Sequence, residues 1–149
     1  MGRPQGSSAV RFLTLLTAVA IVGAIASPWL LRSKRTETEA KAISTLRRIH
    51  SAQTDHYGAS MLYGSMARLT NSKYLEGGFQ DKQFTMEGYK YFHSTDGTLK
   101  RFCAEAVPEG ERPGKSYGID ESGVVLEFER TVSPCFNGEL SKIGGTPVR

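Results

Sequence analysis

Metal-binding and nucleophilic residues are scarce along this chain. It holds two cysteines, Cys103 and Cys135, and three histidines, His50, His56 and His93. Two cysteines without paired spacing make a poor tetrahedral zinc site. His50 and His56 fall on different faces of the helix they are predicted to share, whereas a helical metal site uses spacings of three or four. No glycine-rich loop of the kind that cradles phosphates is present. Ser122 stands in Glu-Ser-Gly, but the nucleophile elbow of a hydrolase requires glycine two residues before the serine, and Asp120 is there instead. The histidines and Ser122 therefore read as structural and turn residues. The sequence nominates no catalytic residue, no cofactor-binding residue and no metal ligand, and the chain is expected not to be an enzyme and to use no cofactor.

Charge is the second absence. Nothing between Arg11 and Arg32 is charged, and Phe12 to Leu31 reads FLTLLTAVAIVGAIASPWLL. A helix needs about 20 such residues to cross the hydrocarbon of a bilayer. Glycine and proline are the third: Glu37 to Tyr57 contains neither and reads as one long helix. At about 100° per residue, Ala42, Ile43, Leu46, Ile49, His50, Gln53 and Tyr57 share one sector of about 120°. Lys41, Ser44, Arg47, Arg48, Ser51 and Asp55 fall on the other side. A wholly apolar helix thus runs into an amphipathic one, with Pro28 to bend the junction. The first half calls for lipid or other apolar helices, the second for a sheet against one face.

What charge there is lies unevenly. The chain has a net charge of +4, and the whole excess sits in Arg32, Lys34, Arg35, Lys41, Arg47 and Arg48, opposed there by Glu37 and Glu39. A basic cluster just after an apolar segment suits lipid headgroups or solvent better than nucleic acid, which recruits basic residues from several elements. Two readings compete for the N-terminus. Arg3 and Arg11, the run Phe12 to Val22 and Ala24-Ile25-Ala26 before Ser27 fit a cleaved secretory signal. The apolar run continues through Trp29, Leu30 and Leu31, however, and the amphipathic helix downstream favours a segment that stays attached. Either implies export to an oxidising compartment, where Cys103 and Cys135 are expected to form one disulfide. Closing a loop of about 30 residues is worth about 3–4 kcal/mol in the chain-entropy account.

After Tyr57, Gly58 to Gly64 reads as a loop and Met66 to Tyr74 as a short helix closed by Gly77-Gly78. Tyr89 to His93 reads as a strand, Asp96-Gly97 as a two-residue hairpin turn, and Thr98 to Val107 as the partner strand. Pro108 to Gly114 is a polar loop. Ser116 to Ile119 and Val124 to Glu129 form a second hairpin about Asp120 to Gly123. The fold class is α+β, with three or four antiparallel strands laid across the amphipathic helix. Residues 1–31 form a leader and transmembrane segment, 32–136 the head with the amphipathic half of the helix, and 137–149 a flexible tail, with Cys135 tying the C-terminal segment to the central strand.

The stretch Ala20 to Arg35, with Ile25-Ala26-Ser27-Pro28-Trp29-Leu30 followed by basic residues, resembles the N-terminal helix of type IV pilins and type II secretion pseudopilins. Glu39 to Ile49 is similar to the second half of that helix, and Tyr117 to Val125 to a late hairpin of some members. The likeness covers about residues 6–60 and, loosely, the late strands. It implies a structural subunit that assembles through its apolar helix, here Arg11, Phe12, Leu16, Val19, Gly23, Pro28 and Leu31. It also implies a single-pass protein of the bacterial inner membrane, its head in the periplasm or in an extracellular filament. The implied partners are other pilin or pseudopilin subunits, the inner-membrane assembly machinery and membrane lipid, with no nucleic acid. Aligned on Pro28, Gly6 takes the position of leader cleavage and Ser7 that of the methylated N-terminus, where the family usually has Phe. Arg11 takes the fifth mature position, where the family has a Glu thought to pair with a neighbour's terminal amine. Some members bind calcium near the C-terminus; Asp120 and Glu121 here read as turn residues. The alternative is a binding module, secreted after signal cleavage or held by a single span.

Overall fold

The computed structural model describes residues 7–76, 79, 83–110, 114–129 and 134–148, with side chains from residue 34 onward. The chain divides into two units, Met1–Glu37 and Thr38–Arg149. The first contributes the opening part of helix α1 (Ser7–Ser60). Among the residues whose side chains are described, no helix is long and apolar enough to cross a membrane. The run Phe12 to Leu31, on which the membrane-spanning expectation rests, lies outside them.

The second unit is α+β. Among the described residues it contains the rest of α1, a short helix α2 (Met66–Asn71) and eight strands. The main sheet is antiparallel throughout, in the order β1-β2-β3-β4-β5-β8. Its strands are β1 (Gln83–Met86), β2 (Tyr89–Thr95), β3 (Phe102–Pro108), β4 (Ser116–Asp120), β5 (Leu126–Phe128) and β8 (Thr146–Pro147). A separate pair, β6 (Cys135–Phe136) and β7 (Glu139–Leu140), makes a small hairpin. Six strands therefore stand where three or four were expected. Residues 137–149, expected as a flexible tail, contain β7 and β8.

The helix stripe explains why α1 lies on the sheet. Ala42, Leu46, Ile49 and Ala52 are buried at spacings of three and four, together with Thr45, Gln53 and His56. The predicted stripe is turned slightly: Ile43, His50 and Tyr57 are only half-buried, and Lys41, Ser44, Arg47, Arg48, Ser51 and Asp55 are exposed as expected. The apolar stripe packs into one core with Met66 and Leu69 of α2, Phe84 of β1, Tyr89 and Tyr91 of β2, Ala104 and Ala106 of β3, and Tyr117 and Ile119 of β4. Small residues on β3 opposite large ones on the helix and on β2 and β4 let the layers interdigitate. Ser65 caps α2, its hydroxyl accepting from the Arg68 amide at 3.2 Å.

The opposite face of the sheet is covered as well, by a layer that the sequence expectations lacked. Cys103, Leu126, Phe128 and Leu140 form a second, smaller core beneath the β6–β7 hairpin. Strand β3 is accordingly buried on both faces through Ala106. Gly118 makes the cover possible: a Cβ there would collide with the Leu140 side chain.

Turn chemistry differs from expectation at one hairpin. Asp96-Gly97 does not form a two-residue turn, because β2 and β3 are joined by residues 96–101, with Thr95 paired to Phe102. The Asp96 carboxylate accepts from the amides of Lys100 at 2.8 Å and Arg101 at 3.1 Å, and Leu99 takes the positive φ of 57°. The partner strand begins at Phe102 rather than Thr98 and extends through Pro108. The tight turn is instead Glu87-Gly88 (φ 54° and 80°), which joins Met86 to Tyr89.

Candidate functional site

Three places in the second unit gather polar chemistry. The first is the disulfide strap. Cys103 and Cys135 are joined, with Cα atoms 5.7 Å apart and a separation of 32 positions in sequence. The bond pins the β6–β7 hairpin over β3 and β4. Beneath it Glu105 is fully buried, and its carboxylate accepts from the Cys135 amide at 3.1 Å. Alternation along Phe102-Cys103-Ala104-Glu105 puts Glu105 on the cysteine face, so the strap itself takes this acid out of water.

Two ion pairs hold the rim of the strap. Arg101 meets Glu139 at 3.7 Å, and Lys142 meets Asp120 at 3.3 Å. Asp120 also accepts from the Ser122 amide at 2.9 Å and from the Ser122 hydroxyl. Burial by itself would raise the Asp120 carboxyl, but the Ser122 bonds and Lys142 outweigh it and hold the group below the usual carboxylate range. The Asp120-Glu121-Ser122-Gly123 segment is thus a turn whose carboxylate is committed to its own loop and to the strap. Beside it, Phe136 and Ile143 are 83% and 91% exposed, on a hollow of about 580 Å³ shared with Arg101, Glu139 and Lys142.

The second place is the exposed face of α1. Its basic residues are divided. Lys41 pairs with Glu87 at 3.2 Å, and Arg48 pairs with Glu76 at 3.2 Å while its guanidinium lies 5.7 Å from the centre of the Phe79 ring. Such exposed pairs contribute about 0–1 kcal/mol each. Arg47 points outward, into a shallow hollow with Ala40, Ser44, Ser51 and Val148.

The third is a polar junction between α1, the connection to α2 and the sheet. The amide of Gln53, fully buried, donates to the Gly64 carbonyl at 2.7 Å and accepts from the Gly64 amide at 2.9 Å. Its nitrogen also lies 2.7 Å from Nε2 of His93. His93 and His50 both lie near Phe102, with ring centres 6.2 and 6.0 Å away, and Tyr63 bridges Phe102 and Tyr57. His56 sits apart, bonded through Nδ1 to the Leu62 carbonyl at 2.8 Å. Two of the three histidines are therefore brought to one aromatic cluster, a proximity that spacing along a single helix could not reveal.

Of the residues singled out from sequence, Cys103 and Cys135 are brought together. Gly6 lies outside the described residues. Ser7, Arg11, Phe12, Leu16, Val19, Gly23, Pro28 and Leu31 belong to α1, with side chains outside the described residues. The burial of Glu105 and the β6–β7 hairpin were missed; Gln53 was placed on the packing face of the helix, but not its bonds to Gly64 and His93. The cue for the strap was Asn137-Gly138, a hairpin dipeptide between Phe136 and Glu139 whose φ values are 48° and 74°. Among the described residues, no cluster of three or more His, Cys, Asp or Glu side chains is placed to hold a metal ion. Comparison with protein-family models, curated proteins and solved structures finds no match to this chain.

Proposed function

We propose that this chain is a non-catalytic structural subunit, a pilin or pseudopilin that assembles through the apolar half of its N-terminal helix, with the head carried on the amphipathic half. The observation that carries this reading is the division of labour along α1. Ala42, Leu46, Ile49 and Ala52 are built into the core of the head, while Phe12 to Leu31, earlier in the same helix, has no charged residue. A subunit of this kind needs one element that anchors in lipid before assembly and packs with its neighbours' helices afterwards, joined to a domain that does not unfold when that happens. The α+β head, the basic residues that follow the apolar run and the disulfide-tied C-terminal segment all suit that role. The head belongs in an oxidising space, the periplasm or the outside of a filament, and the subunit's partners are like subunits, the assembly machinery and membrane lipid.

Arg11 argues for a special position within such an assembly. An unpaired guanidinium inside an apolar helix bundle costs several kcal/mol even after relaxation, so a homopolymer of this chain would be hard to form. The subunit then serves as a minor component, with Arg11 reaching the cytoplasmic headgroups. The test is incorporation into filaments in the native host. Wild-type protein should be scarce in the shaft, and Arg11→Glu should raise its share. Abundant wild-type incorporation that Arg11→Glu abolishes would overturn the minor-subunit reading. A chain found free of filaments and membrane in both forms would favour the secreted binding module, the reading that Ala24-Ile25-Ala26 supports.

A further inference from the structure

We propose that Gln53, Gly64 and His93 form an acid-sensitive latch, closed only while His93 is neutral, that ties the α1–α2 connection to the sheet. Donors and acceptors decide the arrangement. A glutamine side chain has one acceptor oxygen and one NH2 group with two donors. The Gly64 backbone fixes which is which, since its amide donates to Oε1 at 2.9 Å and its carbonyl accepts from Nε2 at 2.7 Å. The second hydrogen on Nε2 is left for His93, whose own Nε2 stands 2.7 Å away. An amide nitrogen does not accept hydrogen bonds, so the His93 nitrogen must offer a lone pair. The imidazole is then neutral, with its proton on Nδ1.

Protonation of His93 turns that contact into two donors facing each other in a part-buried site. Gln53 has no rotamer that relieves the clash without losing Gly64: turning its amide over would point the NH2 group at the Gly64 amide and the oxygen at the Gly64 carbonyl. The latch therefore opens as a unit. Its three members sit on α1, on the α1–α2 connection and on β2, so opening frees residues 61–65 from one of their ties to the sheet. Another tie, from the Tyr63 amide to the Leu99 carbonyl at 2.8 Å, stays in place. Opening also loosens the aromatic cluster of Tyr57, Tyr63 and Phe102.

The titratable and charged groups around the latch come, among the described residues, from each element packed there. From α1 come His50, whose Nε2 lies 3.5 Å from the Glu121 carbonyl, and His56, bonded through Nδ1 to the Leu62 carbonyl and the Ser60 hydroxyl. Each of these rings faces a carbonyl oxygen. The α1–α2 connection brings Tyr63, whose phenol is pushed up by burial and then by Glu121 and Tyr57. The aliphatic part of the Arg68 side chain of α2 passes beside Gly64. On β1 the nearest described position, Gln83 opposite Phe92, is uncharged, and β3 presents Phe102 and Ala104. The unfolded or opened chain takes up a proton at His93 near the ordinary imidazole value of about 6.5, and the latched chain excludes it. The latch is fully closed above that value and is lost as the pH falls below it. This device does not depend on what the chain assembles into.

Amide hydrogen exchange of the oxidised full chain in detergent micelles tests it, with rates corrected for intrinsic pH dependence. The Gly64 amide should exchange severalfold faster, relative to its intrinsic rate, at pH 5 than at pH 7.5. Core amides such as Ala104 should show no such change. His93→Gln keeps an acceptor for Gln53 but cannot titrate, and in that variant the pH step at Gly64 should vanish. Nitrogen chemical shifts of the wild-type ring should report the Nδ1–H tautomer at pH 7.5, a readout that stands even if the variant folds poorly. A Gly64 rate that does not change with pH, a step that persists in His93→Gln, or an Nε2–H tautomer at pH 7.5 would overturn the proposal.

Discussion

Asp120 shows how one side chain can serve a turn and a strap together. Its carboxyl is held below the usual carboxylate range by Ser122 and Lys142 against the opposing effect of burial. A depressed carboxyl contributes stability that is complete above the unfolded value of about 3.9 and is lost as the pH falls through the lower folded value. Asp120→Asn keeps the oxygen that Ser122 uses and loses the charge that Lys142 meets. It should cost about 1 kcal/mol at neutral pH and erase the part of the acid transition that falls below pH 4; urea titrations at pH 7 and pH 3 check both. The disulfide works at the same scale. Replacing Cys103 and Cys135 together by serine should lower stability by about 3–4 kcal/mol. Both thiols should resist alkylation under denaturing, non-reducing conditions, and two reactive thiols in native material would contradict the bond.

Among elements, the helix stripe was the most legible feature and the strands the least. Of the predicted stripe, Ala42, Leu46, Ile49 and Gln53 are buried and Ile43, His50 and Tyr57 half-buried, with Ala52 added; a period sustained over several turns survives in the fold. Short strands carry no such signal. Gln83–Met86 has four residues, Glu139–Leu140 and Thr146–Pro147 two each, and pairing with neighbours defines them more than their own composition does. The hairpin dipeptides show the same limit. Asp96-Gly97 marked a real reversal, but the Asp96 side chain stapled a longer loop, while Glu87-Gly88 and Asn137-Gly138 took the tight turns. Burial of Glu105 was not legible at all, because it follows from a strap laid down by residues about 30 positions away. The stripe also yields the element-scale prediction. Leu46, fully buried between helix and sheet, should cost about 2–5 kcal/mol when changed to alanine, measured by the shift of the urea midpoint at unchanged slope. A loss under 1 kcal/mol would mean that α1 is not a structural part of the head.

At the scale of the whole molecule, an apolar N-terminal run is joined to a head that closes two cores on either side of one sheet. The α+β class was legible in the residues themselves, because a long amphipathic helix followed by strand-like segments has few ways to bury its stripe. The proposed assembly role rests on a likeness along residues 6–60 and, loosely, the late strands, since filament packing depends on neighbours that a single chain does not contain. The central claim is that the apolar helix stays on the mature protein and serves assembly. The mature N-terminus, determined by mass spectrometry of the protein from its native host, tests it most directly. The account predicts a chain that begins at Ser7, after cleavage behind Gly6, and retains Phe12 to Leu31. A chain that begins at Ser27, after cleavage behind Ala26, would have lost the helix and would contradict it.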